Sequence, residues 1–349
     1  SNIPGSGCIG GCSGACLTSA LSRHRCGAPF LHELAVKNGP IFIVGAPRSG
    51  TTLLQYMLRS HPALSLPTGE SHFIIPLMRN EAAFGDLSQS GNVRRVLEAM
   101  YRQSAEFLDT DLHGLQFDIT ALTAAFVAEG RRSMRDLIEG LFVRNAAGEG
   151  KPRWGDKTPY YVLHMSSLLD WWPDAQFVHI VRDGRDVALS LFGRKHDFGV
   201  YNPYVAARYW EHYVETGRAQ GSAMPAGHYL EIRYEDLLND QRATLTQVCD
   251  FLSIDFVEAI MDYRKAGMAG KTPLVQKAVQ KDNSQKWRTE MSAAQVKNFE
   301  SGAGRSLVRF GYPLVGTGSR LPLPVRAWFR LHNKLHTDWQ RVIRPKGRV

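Results

Sequence analysis

Apolar residues along this chain fall into short unbroken runs that alternate with stretches of helical period. "PIFIVGA", residues 40–46, is an uninterrupted, β-branched run of strand length. "TTLLQYMLRSHP" follows, repeats its apolar positions every three to four residues, and stops before Pro62. Strand, glycine-containing loop and helix thus succeed one another directly. A second unit, "SSLLDWWPDAQFVHIVRDGRDVALSLF", reads as helix, Pro-Asp turn, strand over 176–181 and another helix. A third, "HYLEIRYEDLLND", runs from a strand over 228–232 into a helix. Helical periodicity recurs at 92–107, 119–128, 132–145 and 292–310, while residues 264–284, polar, basic and glycine-containing, predict a mobile loop. Strands alternating with helices predict an α/β fold of three layers, a central parallel sheet flanked by helices on both faces. The domain is expected over residues 39–315, with a Cys/Gly-rich leader over 1–38 and a basic aromatic tail over 316–349.

Composition changes this picture little; the location of charge changes it more. A chain of 349 residues, 44% hydrophobic and 21% charged, can build a large core. No apolar run approaches the about 18 residues of a spanning helix, and the opening residues lack the basic-then-apolar pattern of a secretory signal. Of the net charge of +9, the segment Arg320–Val349 holds eight Lys/Arg against one acid, leaving the rest close to neutral. Nucleic-acid binders spread cations over a folded face, so no nucleic-acid partner is expected. The tail interleaves its cations with Trp328, Phe329, Leu331, Leu335 and Trp339, which reads either as a peripheral membrane contact or as a packed or solvated helix. Four of the five cysteines (Cys8, Cys12, Cys16 and Cys26) crowd the leader without a companion metal-binding pattern, and Cys249 lies in an apolar helical repeat. Reduced thiols and a cytoplasmic setting are the expectation.

The loop "GAPRSGTT", residues 45–52, keeps the glycine spacing of a phosphate-cradling P-loop in Gly45 and Gly50. It puts Thr51 where a triphosphate loop has its lysine, and a cation, Arg48, inside the loop. A helix N-terminus offers unpaired N–H groups and partial positive charge; Arg48 adds a planar fork and Thr51 and Thr52 add hydroxyls. The loop suits an anion other than a Mg²⁺-bound triphosphate. In "VRDGRDVALSLFGRK", Arg182 ends a strand, Ser190 lies eight residues on, and Arg194 is expected one turn later on the same helical face. Such a cluster would hold a second phosphate.

With these two motifs in order, each in a strand–loop–helix setting, the chain resembles the sulfotransferases that use 3′-phosphoadenosine 5′-phosphosulfate (PAPS) over most of residues 40–312. Its donor motifs are most similar to those of the protein tyrosine sulfotransferases. The resemblance implies a P-loop-like fold, PAPS as sulfuryl donor, 3′-phosphoadenosine 5′-phosphate (PAP) as product, no metal requirement and a hydroxyl-bearing acceptor. "PRSGTT" (Pro47, Arg48, Ser49, Gly50, Thr51, Thr52) resembles the 5′-phosphosulfate loop; Arg182, Ser190 and Arg194 resemble the 3′-phosphate ligands. Tyr234 in "RYEDLL" and Lys286 with Trp287 in "SQKWRTEMS" resemble further donor contacts. Glu70 resembles the general base, although the related motif has two adjacent glutamates one residue closer to the loop; His72 is the other candidate. Lys157 in "WGDKTPYY" resembles the lysine that stabilises charge on the bridging oxygen, with Arg48 beside it. A peptide tyrosine, a glycan, a lipid or a small molecule could supply the hydroxyl. The rival readings are a kinase-like phosphotransferase, which Thr51 disfavours, and a non-catalytic PAP-binding or membrane-surface protein.

Overall fold

The structure, a computed structural model, describes residues 39–263 and 283–343. The leader with its four cysteines, most of the 264–284 stretch and the end of the tail lie outside the described residues. In chain order the regular elements are β1 (Ile41–Gly45), α1 (Thr51–Arg59), β2 (Leu64–Ser65), α2 (Ile74–Arg79), α3 (Ser90–Thr110), α4 (Ile119–Ala128) and α5 (Met134–Gly148). There follow β3 (Arg153–Lys157), α6 (Met165–Trp171), β4 (Gln176–Val181), α7 (Gly184–Phe192), α8 (Lys195–Phe198), α9 (Pro203–Ser222) and β5 (Tyr229–Arg233). The last are α10 (Tyr234–Asn239), α11 (Gln241–Leu252), α12 (Trp287–Glu290), α13 (Ala293–Arg309) and α14 (Leu323–Ile343).

The strands pair in the order β2-β3-β1-β4-β5, every neighbouring pair parallel. Side chains alternate across a strand, so β1 feeds two cores. Ile41 and Ile43 join Val178, Ile180 and Ile232 beneath α1, α10 and α11, with Cys249 among them. Phe42 and Val44 face the other way, into a larger cluster with Phe177, Trp154, Trp210 and Phe299. This is the expected three-layer fold. The chain leaves β1 toward β2 on one side and leaves β4 toward β5 on the other. The strand order therefore reverses between β1 and β4, and the crevice beyond their C-terminal ends is where open α/β sheets bind ligands. Gly45 pairs with Ile180 there, and a Cβ on Gly45 would lie 2.5 Å from the Ile180 carbonyl oxygen, so the two chain ends meet only because position 45 is glycine.

Two strands escape the apolar-run criterion. β2 is two residues long, and β3, "RWGDK", is polar, yet all five of its residues are buried. Arg153 is tolerated inside because its guanidinium donates to Gly39 O, Leu252 O and Gln176 Oε1 at 2.7, 2.9 and 2.7 Å; burial still lowers its pKa to about 10. A second difference is at α7, which ends at Phe192 and is capped by Gly193. Arg194 lies outside it, so Ser190 and Arg194 do not share a helical face as the spacing predicts.

The described residues all fall in one compact unit, which includes the C-terminal helix. α14 docks on the start of α9: Asn333 accepts from Tyr201 N and donates to Gly199 O, and Phe329 stacks on Tyr204. Among the described residues no helix is long and apolar enough to cross a membrane.

Candidate active site

The β1–α1 loop and the end of β4 converge on one cavity of about 840 Å³. Gly50 stands before the first turn of α1 in the left-handed region, φ 97°, and no side chain caps the N–H groups of that turn, which also lacks an acid. Its terminal donors are thus left for an anion. A Cβ on Gly50 would meet the Tyr234 ring at 2.3 Å, so glycine is required for both conformation and space. Pro47, Arg48, Gly50, Thr51 and Thr52 line the cavity. Ser49 does not: it is buried, and its N–H is taken by Ala46 O.

From the β4 side come Arg182 and Ser190. Ser190 Oγ accepts from Arg48 Nε at 2.8 Å, tying the two motifs together. Arg182 donates to Arg48 O and to Asn283 O, and its guanidinium lies 4.6 Å over the Tyr234 ring. Its Nε is buried without a hydrogen-bond partner among the described residues. A buried donor of this kind costs free energy until something accepts from it. Burial lowers the Arg48 pKa, and the neighbouring positive charges of Arg194 and Arg182 lower it further. The concentration of cations around one crevice is an electrostatic demand for an anion. Arg194 also lines the cavity, with its Nε on Asp197 at 2.7 Å.

Asp186 on α7 accepts from the backbone N–H of Gln285 and of Trp287 at 2.7 and 3.0 Å, pinning the 283–287 segment over the cavity wall. Asn283 and Lys286 line the cavity. The Trp287 ring does not: it is buried, with the Arg185 guanidinium 3.7 Å over it. Arg48, His72 and Gln285 are three of the four non-glycine residues with left-handed φ among the described residues. Backbone strain is therefore gathered around this site.

Also in the cavity lining, Glu70 accepts from Lys157 Nζ at 2.7 Å and lies 3.0 Å from His72 Nε2. Burial by itself would raise the Glu70 pKa; the Lys157 ammonium and His72 outweigh it and hold the carboxyl at about 2. Lys157 ends β3 and is itself buried, whereas about a third of Glu70 is open, at 34% side-chain exposure. Next to Lys157, Asp156 is fully enclosed, and burial pushes its carboxyl up to about 6. A second cavity of about 500 Å³ shares Arg48, Glu70 and His72 with the first and adds Lys157, Thr68 and Asp111.

Several cavity residues have no local signal in the sequence. Tyr160, Phe198, Tyr209 and Tyr213 form an aromatic wall. The Tyr209 and Tyr213 hydroxyls lie 3.3 Å apart, and burial raises the pKa of both. Their spacing of four in α9 puts them on one helical face, which was the one available clue. Among the described residues there is no group of three or more His, Cys, Asp or Glu arranged to hold a metal ion.

The family model described as "Sulfotransferase family" matches residues 40–258, which span β1 through the end of α11 and hold the loop, Glu70, Lys157, Arg182, Ser190 and Tyr234. Protein-tyrosine sulfotransferase of Drosophila melanogaster is 23% identical over 230 residues, 64% of this chain and 40% of the relative. Protein-tyrosine sulfotransferase 1 of Danio rerio is 28% identical over 253 residues, 70% of this chain and 61% of the relative. The chain thus spans less than two thirds of the length of these curated relatives. Among solved structures, the sulfotransferase domain of the Synechococcus PCC 7002 olefin synthase superposes with a TM-score of 0.54 at 26% identity, covering 79% of this chain and 95% of that one. The sulfotransferase domain of the curacin biosynthetic pathway does so with 0.53 at 22%, covering 79% and 98%, a likeness of fold.

Proposed function

The chain belongs to the sulfotransferase family, and on that premise we propose that it moves the sulfuryl group of PAPS to an acceptor hydroxyl and releases PAP. One observation carries the reading: the uncapped first turn of α1 and the Arg182–Ser190 pair flank the same crevice, joined by the Arg48–Ser190 hydrogen bond at 2.8 Å. Two anion sites at this separation in the chain but adjacent in space suit a nucleotide with phosphates at both ends. The buried, unpartnered Arg182 Nε is the orphan such a ligand would satisfy. Thr51, Thr52 and the first-turn amides would hold the 5′ end, Arg182 and Ser190 the 3′-phosphate, and Tyr234, Asn283 and Lys286 the intervening body. PAPS, when bound, supplies a sulfuryl group on a good phosphate leaving group.

The residues of the chain then have separable tasks. Transfer through a loose transition state, by analogy with phosphoryl transfer, needs positioning and charge stabilisation more than covalent help. Arg48, Lys157 and the loop amides supply preorganised positive charge where negative charge accumulates. Glu70 takes the acceptor proton. A carboxylate held at about 2 is a weak base, so the Lys157 contact is part of the mechanism. An anion in the loop competes with Glu70 for the Lys157 ammonium. Releasing Glu70 from Lys157 removes the stronger of the two positive partners that hold it down and lifts its pKa toward the range in which it accepts a proton. His72, 3.0 Å away, orients the carboxylate rather than replacing it. The wall of Tyr160, Phe198, Tyr209 and Tyr213 suits a hydroxyl on a flat, apolar body, such as a tyrosine side chain, better than a glycan.

Calorimetric titration of the purified chain with PAP, ADP and Mg-ATP tests the donor assignment, followed by turnover of PAPS with a phenolic acceptor. Micromolar or tighter PAP binding without metal, together with sulfated product, supports the reading. Preference for Mg-ATP would move it to phosphoryl transfer, and PAP binding without turnover would leave a nucleotide-binding protein.

A further inference from the structure

The helix α14 carries an apolar stripe that none of the described residues covers. Trp328, Leu331, Leu335, Trp339 and Val342 recur at intervals of three and four, and each is about half exposed or more. At 100° per residue they fall in a sector centred roughly opposite the face that docks on the domain. That docked face is fixed by Phe329, Asn333 and Thr337: Phe329 O accepts from Asn202 Nδ2, Asn333 bonds to Tyr201 N and Gly199 O, and Thr337 lies against Gly199. Pinned by one face, the helix lies along the surface with its apolar stripe outward for about 20 Å.

Charge decides what the stripe receives. α14 holds Arg326, Arg330, Lys334 and Arg341 against the single acid Asp338, which pairs with Arg341 at 3.6 Å. Arg330, Lys334 and Arg341 form a row along one flank of the stripe, one turn apart or two. Two copies packed stripe to stripe in antiparallel orientation would bring these like charges together. A negatively charged lipid surface instead accepts the apolar residues and neutralises the row, with Trp328 and Trp339 at the polar–apolar boundary where indoles partition. We propose that α14 is an interfacial helix that docks this chain on an anionic lipid surface. The segment it grips, Gly199–Asn202, directly follows Phe198, which lines the cavity.

Flotation of the full chain with vesicles of phosphatidylcholine, with and without phosphatidylserine, tests it, alongside sedimentation velocity without lipid. The expected result is flotation with the mixed vesicles that weakens in high salt, and little with phosphatidylcholine alone. Arg330→Gln/Lys334→Gln should weaken binding about 25-fold, taking about fivefold per cation. Leu335→Glu should abolish it while the melting temperature stays at the wild-type value. Failure of the wild-type chain to float with anionic vesicles would overturn the proposal, as would a Leu335→Glu variant that floats equally well. A dimer without lipid that Leu335→Glu converts to monomer would overturn it too, assigning the stripe to a second copy. The vesicle comparison of the wild-type chain does not depend on how the variants fold.

Discussion

Replacing Lys157 by methionine removes the ammonium 2.7 Å from Glu70 Oε1 while keeping most of the side-chain volume in a buried position. Glu70 is then left with His72 alone, and burial, the largest single influence, pushes its pKa upward from about 2. Holding the carboxyl at about 2 rather than 4.5 corresponds to about 3 kcal/mol at 1.36 kcal/mol per tenfold change in proton affinity. With 34% of the Glu70 side chain open to solvent, screening reduces the realised stabilisation to about 1–2 kcal/mol. The sign follows from the lowered native pKa. The unfolded carboxyl binds its proton first as pH falls, so this contribution is fully present above pH 4.5 and is lost between there and about 2. Urea unfolding between pH 3 and 7 measures it: the wild-type chain should lose more stability on acidification than Lys157→Met by about 1–2 kcal/mol. Carbon-detected NMR titration of Glu70 should show its midpoint rising in the variant. Turnover should fall at least 100-fold, since Lys157→Met also removes charge stabilisation. Identical acid sensitivity of the two proteins, with an unmoved Glu70 midpoint, would refute the coupling and with it the account of how Glu70 becomes a base.

Three further outcomes follow from the geometry. Gly50→Ala places a Cβ 2.3 Å from the Tyr234 ring at φ 97°; the left-handed backbone alone costs about 1–2 kcal/mol, so PAP affinity should drop at least tenfold and Tm should fall, and unchanged calorimetry would remove the steric argument. Arg182→Ala removes the guanidinium assigned to the 3′-phosphate and should cost about 1.5–3 kcal/mol of PAP affinity, while binding of adenosine 5′-phosphosulfate, which lacks that phosphate, should change much less; equal losses for both nucleotides would refute the assignment. Asp186→Ala leaves the Gln285 and Trp287 amides without their acceptor, at about 1–3 kcal/mol, so Tm should decrease and PAP bind more weakly as Asn283 and Lys286 lose their support; unchanged melting would show that the segment is held by other contacts.

What could be read without coordinates was local. β1, its glycine loop and α1 are contiguous, and each is written in residues whose effect spans a few positions: β-branched runs, a glycine that adopts φ 97°, an apolar repeat ending before Pro62. The same holds for β4 with α7 and for β5 with α10. Where charge and burial disagree, local reading fails. β3 looks like a polar loop, and only the distant acceptors on Gly39, Leu252 and Gln176 make a buried Arg153 tolerable.

The site divides in the same way. Arg48, Thr51, Thr52, Arg182 and Ser190 could be named because a strand end and a helix start place their own neighbours, and Glu70 and Lys157 could be named through family likeness. Their meeting could not be read: Lys157 reaches Glu70 across 87 positions and Arg48 reaches Ser190 across 142. Trp287 illustrates the converse. Its neighbour Lys286 lines the cavity, but a large apolar ring gains more from burial under Arg185 than from the crevice, and Asp186 holds its backbone in that position. Sequence alone determined the strand–helix units built on β1, β4 and β5 and the anion-seeking character of the loop, because each arises from interactions within one turn or one strand. Tertiary structure alone decided which cations share a crevice, how far Glu70 is held from its ordinary pKa, which aromatics wall the cavity and which face of α14 is left bare, because each depends on what the rest of the chain brings alongside.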